Sequence, residues 1–344
     1  MPTTSWPSII GALLARRDLT GGTAAWAMDQ VIRGEAGEVQ LAGFLTALRA
    51  KGETEAELNG LASALLEAAT PVAVPGPTID LAGTGGDGTN AVNLSTMAAI
   101  VVAATGATVV KHGGRAATAT SAGAADLVER LGVPLDLSPA GLAATAAAAG
   151  ITFLFAAAVH PGMRHAGPVR RALGVPTVFN VLGPLINPAN PTYRLVGVAD
   201  QRLLPIVAGA LRARGATALV VRGDDGLDKL TTATTSRVWT VRDGHATDGV
   251  LDPRDLGIDR PAAGALRGGD AAANARITHA LLAGDRGPVR DAVLLNAAAA
   301  LVTATPADGS LVDQLRPAMA RCAEAIDTGA AAETLRRWVE AARR

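Results

Sequence analysis

The stretch Asp80-Leu-Ala-Gly-Thr-Gly-Gly-Asp-Gly88 holds four glycines within six residues, Gly83, Gly85, Gly86 and Gly88. Asn93-Leu-Ser-Thr96 follows it, and Lys111-His-Gly-Gly-Arg115 comes after a further apolar segment. Glycine lets backbone N–H groups close on an anion and adopt φ > 0 without a Cβ clash. Four such residues cost on the order of 0.5–1 kcal/mol each in backbone entropy. A phosphate cradle explains that cost; a bare tight turn does not. Ser95 or Thr96 is placed to cap a helix whose N-terminus adds N–H donors and partial positive charge. Lys111, His112 and Arg115 can pair with phosphate from the next strand. No G-K-[ST] closes the loop, and the G-x-G-x-x-G spacing of dinucleotide sites is absent.

A second polar cluster, Gly223-Asp-Asp-Gly-Leu-Asp228-Lys229, ends a β-rich run. Carboxylates there suit Mg²⁺, which takes one or two of them plus substrate phosphates; the alternative is an Asp-Gly turn in solvent. The Ser95 hydroxyl is either a Mg²⁺ ligand or a simple N-cap. Asp87 cannot face phosphate without a counter-ion. It either orients loop N–H groups or contacts a sugar or a metal-bound water. His160 follows an apolar run and reads as a ligand contact or a hydrogen-bonded structural residue. Arg170 and Arg171 lie on a helical stretch where a solvated face is the alternative. No Ser-His-Asp, H-E-x-x-H or paired-carboxylate arrangement stands out.

The elements that must position these residues show in the periodicity. Residues 8–70 read as helices: Thr20 precedes one that runs through Ile32, Gly34 can stop it, and Thr54-Glu-Ala-Glu57 forms a capping box. Pro71, Pro75 and Pro77 mark a linker, which predicts an N-terminal all-helical domain over 1–72 and a larger α/β domain over 73–344. In the latter, β-rich runs (78–82, 108–111, 152–156, 177–180, 194–198, 218–222 and 238–241) alternate with helical stretches, and 97–104 is predicted as a helix. That alternation indicates a mostly parallel central sheet with helices on its faces. Ligands of such sheets bind beyond the C-terminal strand ends, where Gly83–Gly88, Lys111–Arg115, His160 and Gly223–Lys229 fall. Leu315 to Arg343 reads as helix, with Trp338 in the core or at its edge.

The chain has 344 residues, 49% hydrophobic and 18% charged, which fits a globular protein and not a disordered one. With 31 basic and 31 acidic residues the formal net charge is zero, which speaks against a nucleic-acid partner. Cys322 is the sole cysteine, so neither a disulfide framework nor a cysteine metal site is available. The N-terminal residues lack the charged and apolar regions of a signal peptide, and the apolar runs are too short or broken for a membrane span. A cytoplasmic location is the expectation.

Taken together, the chain resembles the anthranilate phosphoribosyltransferase family of the nucleoside phosphorylase/phosphoribosyltransferase superfamily. The resemblance runs nearly end to end. It includes Ala24-Ala-Trp-Ala-Met-Asp-Gln30, Gly83-Thr-Gly-Gly-Asp-Gly88, Asn93-Leu-Ser-Thr96, Lys111-His-Gly, Val169-Arg-Arg-Ala-Leu-Gly174, Phe179-Asn-Val-Leu-Gly-Pro-Leu185 and Asp225-Gly-Leu-Asp228. It implies a small helical domain beside a larger α/β domain, and a homodimer formed through the helical part. It implies transfer of phosphoribose from 5-phosphoribosyl 1-diphosphate to the amine of anthranilate, a step of tryptophan biosynthesis, with Mg²⁺ bound and pyrophosphate leaving. By the same resemblance Gly83, Gly86, Asp87, Asn93, Leu94, Ser95, Thr96, Lys111 and Thr118 hold the diphosphate donor. Ser95 and Asp228 hold Mg²⁺. Gly83, His112, Gly114, His160, Arg170 and Pro184 line the acceptor site, with Arg170 on the acceptor carboxylate.

Three departures from the family pattern fall in the implied site. Gly114 stands where the family has Asn, Ala157 where it has Pro, and Lys229 where it has the second acidic residue beside the metal. An ammonium cannot ligate Mg²⁺. The loop after Arg115 is one residue longer than usual and poorer in serines. These changes leave open a paralogue with another aromatic acceptor, a nucleoside phosphorylase, and a binding homologue without catalysis.

Overall fold

Short polar side chains start the N-terminal helices. The hydroxyls of Ser5, Thr20 and Thr54 accept backbone N–H groups from Ser8, Thr23 and Glu57, satisfying donors that a first turn leaves unpaired. The helices are α1 (Trp6–Leu14), α2 (Gly21–Ile32), α3 (Glu38–Lys51) and α4 (Glu55–Glu67). The computed structural model describes residues 4–116, 122–305 and 308–344. Glu57 of the capping box is buried, where it accepts the Leu19 N–H and pairs with Lys51 at 3.0 Å. Residues 68–77 form neither helix nor strand.

Strands and helices then alternate: β1 (Thr78–Gly83), α5 (Leu94–Ala104), β2 (Thr108–Gly113), α6 (Ala124–Arg130), α7 (Pro139–Ala149) and β3 (Ile151–Phe155). Next come three short helices, α8 (Ala156–Val159), α9 (Gly167–Leu173) and α10 (Phe179–Leu182). β4 (Tyr193–Gly197), α11 (Leu204–Ala213), β5 (Thr217–Gly223), β6 (Ser236–Arg242) and β7 (His245–Leu251) complete the sheet. α12 (Ala271–Leu282), α13 (Pro288–Ala304), α14 (Leu311–Asp327) and α15 (Ala330–Ala342) close the chain. The sheet order is β3-β2-β1-β4-β5-β6-β7, with β1 to β5 parallel and β6 and β7 added antiparallel at one edge.

Both faces of the parallel strands are covered, as such strands require. On one face Leu81 and Leu195 join a core with α5 and α13, whose side chains are apolar nearly all round. On the other, Val196 and Val220 share a core with Phe44, Leu45, Leu58 and Leu61 of the N-terminal helices. That shared core seats the helical layer against the sheet. Gly83 pairs in register with Gly197, so the tips of β1 and β4 lie side by side.

Several local expectations need correction. Residues 177–180 are not a strand: Asn180 Oδ1 accepts the Thr177 N–H at 3.0 Å, and that side-chain turn leads into α10. His160 does not follow β3 directly, because α8, which contains Ala157, intervenes. The helix predicted over 97–104 begins at Leu94 with Asn93 as N-cap, so neither Ser95 nor Thr96 caps it. Trp338 is fully buried and belongs to the core. Among the described residues no helix is long and apolar enough to cross a membrane.

Candidate active site

Past β1 the chain turns through Gly85, Gly86 and Gly88 with φ of 67°, 74° and 70°, a region that only glycine enters at no steric cost. The turn is tied from three sides. The Thr84 N–H donates to the Gly197 carbonyl (2.9 Å). The Gly85 N–H donates to Asp228 Oδ2 (2.8 Å). Asp87 Oδ1 accepts the Thr89 N–H (2.9 Å), and its Oδ2 accepts the Asp228 N–H (3.3 Å). Asp87 thus orients the loop, the first of the roles read for it. The N–H groups of Gly86, Asp87, Gly88 and Ser95 find no acceptor among the described residues. Free backbone donors on a turn and a helix N-terminus form a ready anion site.

Gly83 serves a different need. A Cβ there would run into the Asp228 carboxylate and the Lys229 ammonium. A larger residue at Gly83 would have to displace the Asp228 and Lys229 side chains from the tip of β1.

The cations at the mouth divide unexpectedly. Lys111 is almost fully buried and donates to the Leu81 carbonyl and to Ser95 Oγ (3.2 Å). Burial lowers its pKa to about 8; Lys229 pushes the same way, against Asp80 and Asp228. Lys229 Nζ lies 2.6 Å from Asp228 Oδ1. Burial raises the pKa of Asp228 while Lys229 opposes it. Arg115 does not join the cradle: it forms ion pairs with Asp126 (2.9 Å) and Glu129 (2.8 Å) and lies over the Phe155 ring. Of the acidic cluster only Asp228 reaches the glycine loop. Asp224 accepts from Thr235 and Arg237, and Asp225 from Leu227 and Thr231.

Other residues expected on the donor are used internally. Asn93 Nδ2 donates to the Ala122 carbonyl (2.7 Å), and its Oδ1 accepts from Asn274 (2.7 Å), a residue without a sequence signal. Leu94 and Thr96 are buried, the Thr96 hydroxyl without a partner among the described residues. Thr118 lies outside the described residues.

For the expected Mg²⁺, the described residues bring together no group of three or more His, Cys, Asp or Glu side chains. What they offer is the Asp228 carboxylate, Asp87 bonded to its N–H, and the Ser95 hydroxyl. That all-oxygen set suits Mg²⁺ in the mode where phosphates and waters fill most positions. Both Asp228 oxygens already accept a hydrogen bond, one of them from Lys229.

Next to the tip of β2, His112 and His160 meet edge to face with ring centroids 5.3 Å apart. His112 Nδ1 lies 3.1 Å from the Gly183 carbonyl and His160 Nε2 lies 2.8 Å from the Ile186 carbonyl. A carbonyl only accepts, so each neutral ring carries its proton on that nitrogen. His112 Nε2 is left as a buried lone pair without a partner among the described residues, whereas His160 Nδ1 makes no well-formed hydrogen bond but has the Leu65 backbone beside the ring. Burial pushes both rings down to about 4, so both are neutral at pH 7. Asp80 fixes this corner, accepting the His112 N–H (3.2 Å) and the Asn187 amide (2.9 Å). Sequence reasoning misses both Asp80 and Asn187. Their only signal is an acidic residue inside an apolar strand, which must find partners.

Pro184 sits buried in the 3-10 turn Gly183–Leu185 that continues α10. The Arg170 guanidinium stacks 5.1 Å over Phe179 at the start of α10, and burial alone lowers its pKa. Arg171 stays exposed. Gly114 has ordinary backbone geometry, and a Cβ there would meet nothing within 4 Å. Among the described residues, the Asn-to-Gly departure therefore leaves space beside the backbone.

Comparison with known proteins covers the whole chain. The profile of the glycosyl transferase family a/b domain matches residues 75–332, and that of its helical bundle domain matches residues 7–69. An anthranilate phosphoribosyltransferase from Salinispora arenicola is 54% identical over 346 residues, covering 99% of this chain and 98% of the relative. One from Acidothermus cellulolyticus is 56% identical over 340 residues, covering 98% and 96%. The crystal structure of the Thermus thermophilus enzyme superposes with a TM-score of 0.90 at 40% identity, covering 98% of this chain and 99% of that one. The Saccharomyces cerevisiae enzyme in complex with PRPP and Mg gives 0.89 at 28% identity, covering 98% of each chain.

Proposed function

This chain belongs to the anthranilate phosphoribosyltransferases of the glycosyl transferase family, and on that footing we propose that it transfers 5-phosphoribose from phosphoribosyl diphosphate to the amine of anthranilate. The C1–O bond to pyrophosphate breaks and a C1–N bond forms. The observation that carries the reading is the set of free N–H groups on Gly86, Asp87, Gly88 and Ser95 beside the buried Lys111. Negative charge grows on the departing pyrophosphate. Preorganised donors and a cation aimed there stabilise the transition state more than the ground state.

The acceptor side supplies position. Arg170 is a desolvated cation for the acceptor carboxylate, and the His112 lone pair suits an amine N–H group. Asp228, Asp87 and Ser95 would hold Mg²⁺, which when bound offsets diphosphate charge. Lys229 supplies a fixed positive charge at the position of the second acidic ligand.

Other features support the finer assignments. Leu14 and Val39, on the outer surface of the N-terminal helices, are 72% and 86% exposed; they support a homodimer formed through that layer. The structureless segment 68–77 supports a division into 1–72 and 73–344. The absence of a membrane-crossing helix among the described residues is consistent with a cytoplasmic enzyme.

The test follows loss of anthranilate fluorescence with donor and Mg²⁺. Correctly folded protein without turnover overturns the reading. Gly114 and Ala157 favour a second reading, in which another aromatic amine is the better acceptor. Comparing kcat/KM across ring-substituted aminobenzoates separates the two: the second reading requires anthranilate to rank below another amine.

A further inference from the structure

A cleft of about 510 Å³ opens at the N-terminal edge of the sheet, the edge opposite the glycine loop. It lies between the end of α4, the residues entering β4 and those entering β5. Leu66, Pro191 and Leu211 give it apolar walls, and Arg194 and Arg214 also line it. Its size is that of a small-molecule site.

Arg194 is 6% exposed and is the register partner of Asp80 on β1. Its only side-chain hydrogen bond among the described residues runs from Nη1 to the Pro184 carbonyl (3.2 Å), and its buried Nε has no partner there. Asp80 cannot neutralise it alone, because both carboxylate oxygens already accept hydrogen bonds and Lys111 draws on the same charge. Arg214 is held by neutral acceptors only: Asn59, Leu185 and Ser63. Desolvation lowers the pKa of both guanidinium groups, and Arg214 adds to the effect on Arg194. Two arginines facing one cleft, neither of them ion-paired there among the described residues, are a site for an anion.

The rim selects among anions. Glu67 lies there, exposed, and repels a dianion more than a monoanion. The apolar walls need an apolar body to cover them. We propose that this cleft binds a small organic carboxylate, its oxygens on Arg194 and Arg214 and its apolar part against Leu66, Pro191 and Leu211. The site shares no residue with the donor or acceptor assignments, so it stands or falls apart from them.

The test is calorimetry on the full chain carrying Arg170→Ala, which removes the competing carboxylate contact of the acceptor side, with benzoate and inorganic phosphate as probes. Benzoate should bind at one site, and inorganic phosphate at least about tenfold more weakly. Arg194→Gln should weaken benzoate at least about tenfold, the scale of a lost charge-assisted hydrogen bond. Thr192→Trp fills the cleft from an exposed position, touches neither arginine's hydrogen bonds, and should abolish binding. No benzoate binding at millimolar concentration overturns the proposal. So does undiminished binding in the Thr192→Trp protein, or tighter binding of phosphate than of benzoate.

Discussion

The Lys229 ammonium lies 2.6 Å from Asp228 Oδ1, while Asp228 Oδ2 holds the Gly85 N–H at 2.8 Å. One buried carboxylate thus joins a fixed cation to the glycine loop. A metal ion brought to the same carboxylate must share it with that cation. On the proposed function, Lys229 would do electrostatically, at fixed position, part of what a second ion does.

Lys229→Glu should restore an oxygen ligand and remove the competing charge. We expect donor affinity to depend more steeply on Mg²⁺: weaker than wild type without the ion, by about tenfold or more for a lost charge-assisted contact, and recovering as Mg²⁺ is added. Calorimetric titration of the donor over a series of Mg²⁺ concentrations reads this directly. Superimposable Mg²⁺ curves for the two proteins would show that Lys229 has no such role.

Lys111 gives a pH signature. Burial lowers its pKa to about 8 from the ordinary 10.5, so the ammonium proposed to face the diphosphate is lost as pH rises through 8. Donor affinity should drop about twofold from pH 7 to 8. It should then fall, approaching tenfold per pH unit, until the pKa of the complex is reached. Lys111→Met should bind more weakly at pH 7 and lose this slope. Affinity that stays level to pH 9.5 in the wild type excludes Lys111 as the titrating contact.

The two imidazoles give the opposite edge of the pH range. His112 and His160 have folded-state pKa values pushed down to about 4 by burial, against about 6.5 unfolded. The unfolded chain takes up protons first. Their contribution is therefore fully present above pH 6.5 and is lost as pH falls from 6.5 toward 4. The loss is on the order of 3 kcal/mol for the fully buried His112. Urea unfolding at pH 7 and pH 4.5 measures it. His112→Gln should reduce the difference, and an unchanged difference would mean that other groups dominate acid unfolding.

What the sequence makes legible is what local chemistry decides. The glycine run, the Thr20 and Thr54 caps and the β/α alternation are each set by a few adjacent residues, and each appears in the fold. Arg115 escapes such reading because Asp126 and Glu129, brought round on α6, claim its guanidinium. Residues 177–180 carry strand propensity that one Asn180 hydrogen bond overrides. Asn93 looks ligand-facing until Asn274 arrives from α12, far along the chain. The Asp80–Arg194 pairing depends on strand order, which no local pattern encodes.

Gly114 bears on the acceptor. Its backbone needs no glycine and a Cβ there would meet nothing within 4 Å among the described residues, so Gly114→Asn should fold without strain. We expect a stability change within about 1 kcal/mol, on the favourable side because the unfolded chain loses freedom. The new amide would stand one residue past Gly113, at the tip of the strand that carries His112. If anthranilate is the acceptor, the introduced amide offers it an added hydrogen bond and should lower its KM several-fold with donor KM unchanged. If a bulkier aromatic amine is the natural acceptor, the same substitution should raise the KM for that amine instead. Steady-state kinetics with each substrate varied in turn distinguishes these outcomes. An unchanged KM for every acceptor tried would place Gly114 away from the acceptor altogether.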